Sequence, residues 1–352
     1  MTEWRYIQVF ADQFTRCALV AGETVAILSE TTSRPVLVET ARLAAQSLGA
    51  RVFDLVMPTP PSAHPVPIRS TGASQALAGN AAVIGALSTA DLVVDCTVEG
   101  LLHAPELGRI LAGGARVLMI SNEHPDTFDR LKFDPDLARR VALGRAWLDQ
   151  GTTMRVSSDA GTALTVQLAG AVTAGSSGVT AGPGSIAHWP GGLVLAFPAA
   201  GTVSGTLVLA PSDINLTFNR YVETPITLSI VEDHIIDIAG DGVDADLFRS
   251  YLAAFNDRAS YATSHVGWGM NPAARWDYLE LYDKRDIWGT EARAFAGNFL
   301  YSTGANENAG RFGAGHFDLP MRDCTVRIDD RDVVVAGLLV PELRLVQLID
   351  GA

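Results

Sequence analysis

The hydrophobic pattern changes character at Gly151, and that change constrains the fold more than any other feature of the chain. Before it, short apolar runs alternate with helical stretches: TVAILSE (24–30), a helix from about Arg34 to Leu48, and ARVFDLVM (50–57) make a βαβ pattern. DLVVDC (91–96), a helix opening near Pro105, ARVLMIS (115–121) and a helical stretch over 133–151 continue it. Such alternation predicts an open, largely parallel sheet with helices on both faces. After Gly151 come short alternating strands such as TMRVSS (153–158) and ALTVQLAG (163–170), punctuated by Gly, Ser and Pro, with one clear helix at 244–257. The composition of 173–185 predicts a flexible loop. The expected fold is α/β: an N-terminal open parallel α/β domain (1–151) and a C-terminal α+β, largely antiparallel domain (152–352), with the active site in the interdomain cleft.

Composition narrows the partners. The 352 residues are 48% hydrophobic and 18% charged, enough for two globular cores. Lys and Arg total 26 against 39 Asp and Glu, a net charge of -13 with no basic run, so nucleic acid is not an expected partner. No window reaches the roughly eighteen apolar residues of a membrane span, and Glu3 and Asp12 interrupt the start where a signal peptide would be apolar. Cys17, Cys96 and Cys324 are odd in number and widely spaced, as in a reducing compartment. A soluble cytoplasmic protein, without a membrane partner, is the expectation.

Several enzyme signatures are missing: GxGxxG after the first strand, GxxxxGK[ST], HExxH and GxSxG. Histidines carry the remaining signal. His316 and Asp318, in GAGHFDLPMRDC, are two apart and on a strand would project from one face, where an imidazole and a carboxylate can grip one metal. His265 lies in the Gly-rich YATSHVGWGMNPAARW. Two histidines and a carboxylate are the ligand set that holds non-haem Fe(II) with positions left open. A hydrogen-bonded core histidine at 265 and a turn cap at 316 explain the same residues. His64, His124 and His234 sit among prolines or charges and are expected at the surface.

SHVGWGMNPAARW (264–276), TEARAFAGNFLYSTGANENAGR (290–311) and GHFDLPMRDCTVRIDD (315–330) resemble the iron-binding half of the 2,5-dihydroxypyridine 5,6-dioxygenases of nicotinic acid and nicotine catabolism, distant relatives of the aminopeptidase T (M29) metallopeptidases. ADLVVDCTVEGLLHAPELGRIL (90–111), HWPGG (188–192) and GTLVLAPSDI (205–214) are similar to the rest of that family. The resemblance implies an Fe(II)-dependent, extradiol-type ring-cleaving enzyme taking O2 and a small hydroxylated N-heteroaromatic ring to an N-formylmaleamate-type product, and a homo-oligomer. It implies metal ligands at His265, His316 and Asp318, with Ser302 in a supporting place beside the metal; as a turn serine, Ser302 would instead bond nearby backbone. His103, in LLHAP, matches the acid/base histidine, a role its ordinary pKa of about 6.5 suits; otherwise it merely precedes a helix start.

His188 and Trp189 are candidates to line the substrate pocket, with Trp268 a second aromatic wall, although large aromatics at such positions also build cores. The chain departs from the family pattern at Thr165, where a histidine is expected, and in the loop 173–187, which lacks the expected acidic and aromatic residues. Both departures bear on the substrate, because an unpartnered buried polar group separates close analogues by about 1–3 kcal/mol. An M29-like aminopeptidase is the alternative, but it would need carboxylates for two metals and carries Glu, in an ELGxGxNP context, where His265 stands. A non-catalytic relative with the same fold is a third reading, opposed by the presence of His103 together with the three ligand residues.

Overall fold

The computed structural model describes residues 2–61, 73–131 and 134–344. Along the chain, α1 (Trp4–Arg16) precedes β1 (Thr24–Glu30), α2 (Pro35–Ser47), β2 (Arg51–Met57), α3 (Ala81–Ser88), β3 (Leu92–Cys96), α4 (Leu107–Ala112), β4 (Arg116–Ile120), α5 (Pro125–Arg130) and α6 (Pro135–Gln150). Proline opens α2, α5 and α6, where its missing N–H costs nothing and its fixed φ favours the first turn. Leu37, Ala41, Ala44 and Ala45 give α2 its buried stripe. β3 and β4 are buried at every position, as strands covered on both faces must be.

After α6 the chain forms β5 (Thr153–Ser157), β6 (Ala163–Gln167), β7 (Val172–Ser176), β8 (Ile186–Trp189), β9 (Leu193–Phe197) and β10 (Val203–Leu209). A ribbon, β11 (Ile214–Asn215) and β12 (Arg220–Tyr221), leads to β13 (Ile226–Val231), β14 (His234–Ala239) and α7 (Val243–Ala254). Then come β15 (Thr263–Gly269), α8 (Thr290–Ala294), β16 (Phe299–Asn306), β17 (Arg311–Met321), β18 (Thr325–Ile328), β19 (Arg331–Val335) and β20 (Leu338–Leu339).

The expected parallel sheet is present, in the order β2-β1-β3-β4-β8. Its fifth strand, β8, comes from beyond residue 151, so the chain returns to the first sheet after starting the later ones. Antiparallel pairing dominates the rest, in an eight-stranded sheet β14-β13-β10-β6-β5-β18-β19-β20 and a five-stranded sheet β17-β16-β15-β9-β7. The 173–185 segment is not a loop throughout, because its first residues belong to β7, paired along its length with β9. The small residues that suggested flexibility serve packing: a Cβ on Gly175 would stand 2.8 Å from Val141 of α6.

The largest apolar core joins both antiparallel sheets with α6 and α7. Val194 and Ala196 of β9, Val266 and Trp268 of β15, Phe299 and Tyr301 of β16, and Phe317 and Leu319 of β17 enter it. Strand alternation therefore turns the intervening residues of the five-stranded sheet to its opposite face. That opposite face is the floor of the site.

Candidate active site

Leu195 and Phe197 of β9, His265 of β15, Leu300 of β16, and His316 and Asp318 of β17 all line one cavity of about 660 Å³. Leu102, His103, Met119 and His188 from the parallel-sheet side close it. The cavity thus lies between the two halves, with His103 in the loop beyond the carboxyl end of β3.

His316 and Asp318 share a face because they are two apart on one strand. The Nε2 atoms of His316 and His265 stand 3.1 and 3.9 Å from Asp318 Oδ1. Ligand atoms from these three buried residues lie within 4.8 Å of one another, close enough to share one ion, and theirs is the one such His/Cys/Asp/Glu group among the described residues. Ser302 sits opposite Asp318 in the β16–β17 register and donates its hydroxyl to Asp318 Oδ1. The other carboxylate oxygen, Oδ2, accepts a 2.6 Å hydrogen bond from Arg293 Nε.

Electrostatics sets Asp318 and His265 in the forms a metal requires. Burial pushes the Asp318 carboxyl upward, but Arg293 and His316 outweigh it and hold the group well below the usual carboxylate range. Burial lowers His265 to about 3 despite Asp318 beside it. An ionised Asp318 and a neutral His265 bind a divalent cation without first releasing protons, and with His316 beside them the residues present fit a single Fe(II) bound by two nitrogens and a carboxylate oxygen.

His103 is half-buried, its ring edge-on to Phe197 at 5.9 Å, and Phe197 in turn lies 5.3 Å from His265. Burial, then the neighbouring His316, keep its pKa below the ordinary imidazole value, so it is neutral near pH 7. Asp95, at the end of β3, fixes the loop that carries it: Oδ1 accepts from the Thr97 amide (3.0 Å) and hydroxyl (2.6 Å), and Oδ2 from the Leu101 amide (2.7 Å). Gly100 in that loop has φ +79°, and the Met119 side chain fills the space a Cβ would need.

Among the wall candidates, His188 lines the cavity, bonded through Nε2 to Ser121 Oγ (2.7 Å) and stacked at 5.9 Å on Trp288. Trp189 does not, because the next residue along a strand faces the other way. It packs 4.8 Å from Phe10 and 4.6 Å from Phe128 in the core of the parallel sheet, where burying a large apolar side chain is worth about 1.5–3 kcal/mol. Trp268 is corrected for the same reason: three residues from His265 on β15, it points into the antiparallel core, its Nε1 on Met270. Thr165 is also no pocket residue, since it lies on β6 of the eight-stranded sheet between Arg155 and Ser204. The departing 173–187 segment does reach the cavity, through Ala174, Ser176, Val179 and Ala187. His124 and His234 are partly exposed; His64 lies outside the described residues.

Among the cavity residues that escaped sequence reasoning are Phe197, Trp288 and Arg293. For Arg293 a signal existed, a lone arginine in the apolar run ARAFAGNF, since a cation there needs a buried partner. Trp288 carried none.

A buried two-histidine, one-carboxylate cluster, roofed by a histidine-bearing loop from a parallel sheet, defines a mixed α/β enzyme with its site between two sheet systems. The chain belongs to the 2,5-dihydroxypyridine 5,6-dioxygenase (NicX) family, whose profile matches residues 5–341. It is 38% identical over 325 residues to the 2,5-dihydroxypyridine 5,6-dioxygenase of Pseudomonas putida, covering 91% of this chain and 92% of that protein. The solved structure of 2,5-dihydroxypyridine dioxygenase from Pseudomonas putida matches with a TM-score of 0.90 at 36% identity, over 96% of this chain and 98% of that one. Wild-type AmpT from Thermus thermophilus matches at a TM-score of 0.58 and 14% identity over 96% and 99% of the two chains, a likeness of fold. Among the described residues no helix is long and apolar enough to cross a membrane.

Proposed function

We propose that this chain is an Fe(II)-dependent ring-cleaving dioxygenase acting on 2,5-dihydroxypyridine or a close hydroxylated N-heteroaromatic ring, giving an N-formylmaleamate-type product. The observation that carries this reading is the meeting of His265, His316 and Asp318 at the floor of a cavity whose wall holds His103, in a chain of this family. Fe(II), when bound, supplies a redox-active centre at which ring and oxygen are held together and electron density reaches the oxygen.

The residues do the rest. His265, His316 and Asp318 hold the metal, and Ser302 steadies the carboxylate. His103, neutral at working pH, removes or holds the proton of a ring hydroxyl at an imidazole nitrogen, which makes the ring a better electron donor. Phe197, Leu195 and Leu300 wall the site with apolar surface, exclude water and position the ring, converting an encounter into a proximity-assisted step. Both atoms of O2 enter the product, so nothing else is consumed.

A two-metal peptidase reading is disfavoured at Asp318. A carboxylate that held two metals through its two oxygens would need Oδ2, which accepts the Arg293 hydrogen bond here. The test is oxygen uptake by anaerobically purified protein with 2,5-dihydroxypyridine, with and without added Fe(II), and mass analysis of the product. Iron-dependent uptake of one O2 per ring opened is expected; bound zinc, or two metals per chain with peptide hydrolysis, would overturn it.

A further inference from the structure

Arg293 is a charged side chain buried in the cavity wall that the scheme above leaves without a task in turnover. Its Nε donates to Asp318 Oδ2 at 2.6 Å and its Nη1 to the Trp288 carbonyl at 2.9 Å, with the guanidinium carbon 5.3 Å from the centre of the Trp288 ring. A buried guanidinium is tolerated only when its donors are matched, and these two bonds fix its plane. The two oxygens of Asp318 are thereby made unequal. Oδ1 faces the Nε2 atoms of both histidines and accepts the neutral Ser302 hydroxyl, whereas Oδ2 is capped by the guanidinium.

Arg293 acts from α8, and the parallel-sheet half of the molecule holds α8 in place. Glu123, after β4, accepts from the Trp288 amide (2.9 Å) and the Thr290 amide (2.6 Å). Arg130 of α5 makes a two-pronged pair with the buried Glu291 at 2.5 and 2.6 Å. Ser121 accepts from the Thr290 hydroxyl at 2.8 Å.

We propose that Arg293 is a positioning residue that makes Asp318 a one-oxygen ligand, keeping open the coordination position that a two-oxygen carboxylate would fill. Docking of the N-terminal half, through Glu123 and Arg130, sets its register. The inference rests on the Fe(II) reading of the site. It assigns Arg293 to metal geometry rather than to substrate charge.

The test uses the full chain loaded anaerobically with Fe(II) and titrated with nitric oxide, a diatomic probe of the free iron positions, followed by EPR. Wild type, Arg293→Gln and Arg293→Lys are compared at measured iron content. In R293Q the second oxygen of Asp318 turns inward, and nitric oxide affinity falls by about tenfold or more, the scale on which residues behind metal ligands act. R293K keeps a cation at Oδ2 and recovers most of it. A folded R293Q that cannot retain iron while R293K does supports the same role. Equal nitric oxide affinity in wild type and R293Q at full loading overturns the inference alone, whereas a wild type that takes up no iron overturns the reading of the site with it.

Discussion

Ser302 and Asp318 stand directly opposite each other on β16 and β17, and the serine hydroxyl donates to the carboxylate oxygen that faces both histidines. Strand register thus brings Ser302, sixteen residues before Asp318 in sequence, to the cluster as a fourth polar group. Replacing Ser302 by Ala removes that bond and frees Asp318 to rotate. S302A is expected to keep the fold and to bind Fe(II) about tenfold more weakly, read by competition with a chelator of known affinity.

His316 and His265 each supply one of the two imidazole ligand atoms in the cluster. Either His316→Ala or His265→Ala is expected to leave the circular dichroism spectrum unchanged and reduce iron to a trace after gel filtration. Iron content equal to wild type in either variant would remove that residue from the ligand set.

His103 touches the cavity without belonging to the cluster. His103→Ala should bind iron normally and lose about 10²–10⁴-fold in kcat. Since burial and His316 hold His103 below the ordinary imidazole pKa, the base is lost only when pH falls past that lowered value. The acid limb of kcat/KM therefore lies below about pH 6.5 in wild type and disappears in the variant.

Asp95 is raised by burial to about 6 even though three hydrogen bonds favour its ionised form. A carboxyl whose folded pKa exceeds its unfolded value contributes stability that is complete below the unfolded pKa of about 3.9 and is lost as pH rises through the folded one. Asp95→Asn abolishes that titration. Urea unfolding should show its largest penalty near pH 4, shrinking by up to about 3 kcal/mol toward pH 7; a penalty independent of pH would refute the account.

Arg130 and Glu291 tie α5 to α8 across the two halves of the molecule. Arg130→Ala leaves Glu291, 1% exposed, without its cation. A loss of about 2–4 kcal/mol is expected, somewhat below the cost for a wholly buried pair because Arg130 is partly exposed. Thermal unfolding followed by near-UV circular dichroism measures it.

Much of the architecture was legible in the residues. Alternating apolar runs before Gly151 announced the parallel sheet, and the Gly-punctuated strands after it announced antiparallel pairing, because periods of 3.6 and 2 are written locally. The His316-x-Asp318 spacing placed two site residues on one face for the same reason. That parity also bore on Trp189 and Trp268, whose odd offsets from His188 and His265 turn them into cores. The 173–185 segment misled because Gly and Ser mark loops by composition, yet here they allow α6 to lie against an edge strand.

Sequence by itself determined most of the element types, the two sheet classes and the residues able to ligate a metal. Only the tertiary structure decided which of them meet. Pairing register set Ser302 against Asp318, the return of β8 to the first sheet brought His188 to the cavity, and the docking of α8 onto Glu123 and Arg130 delivered Arg293 to the outer oxygen of Asp318. Those choices depend on interactions between segments tens to hundreds of residues apart. No local period encodes them, because their free energy arises only when the segments are packed together.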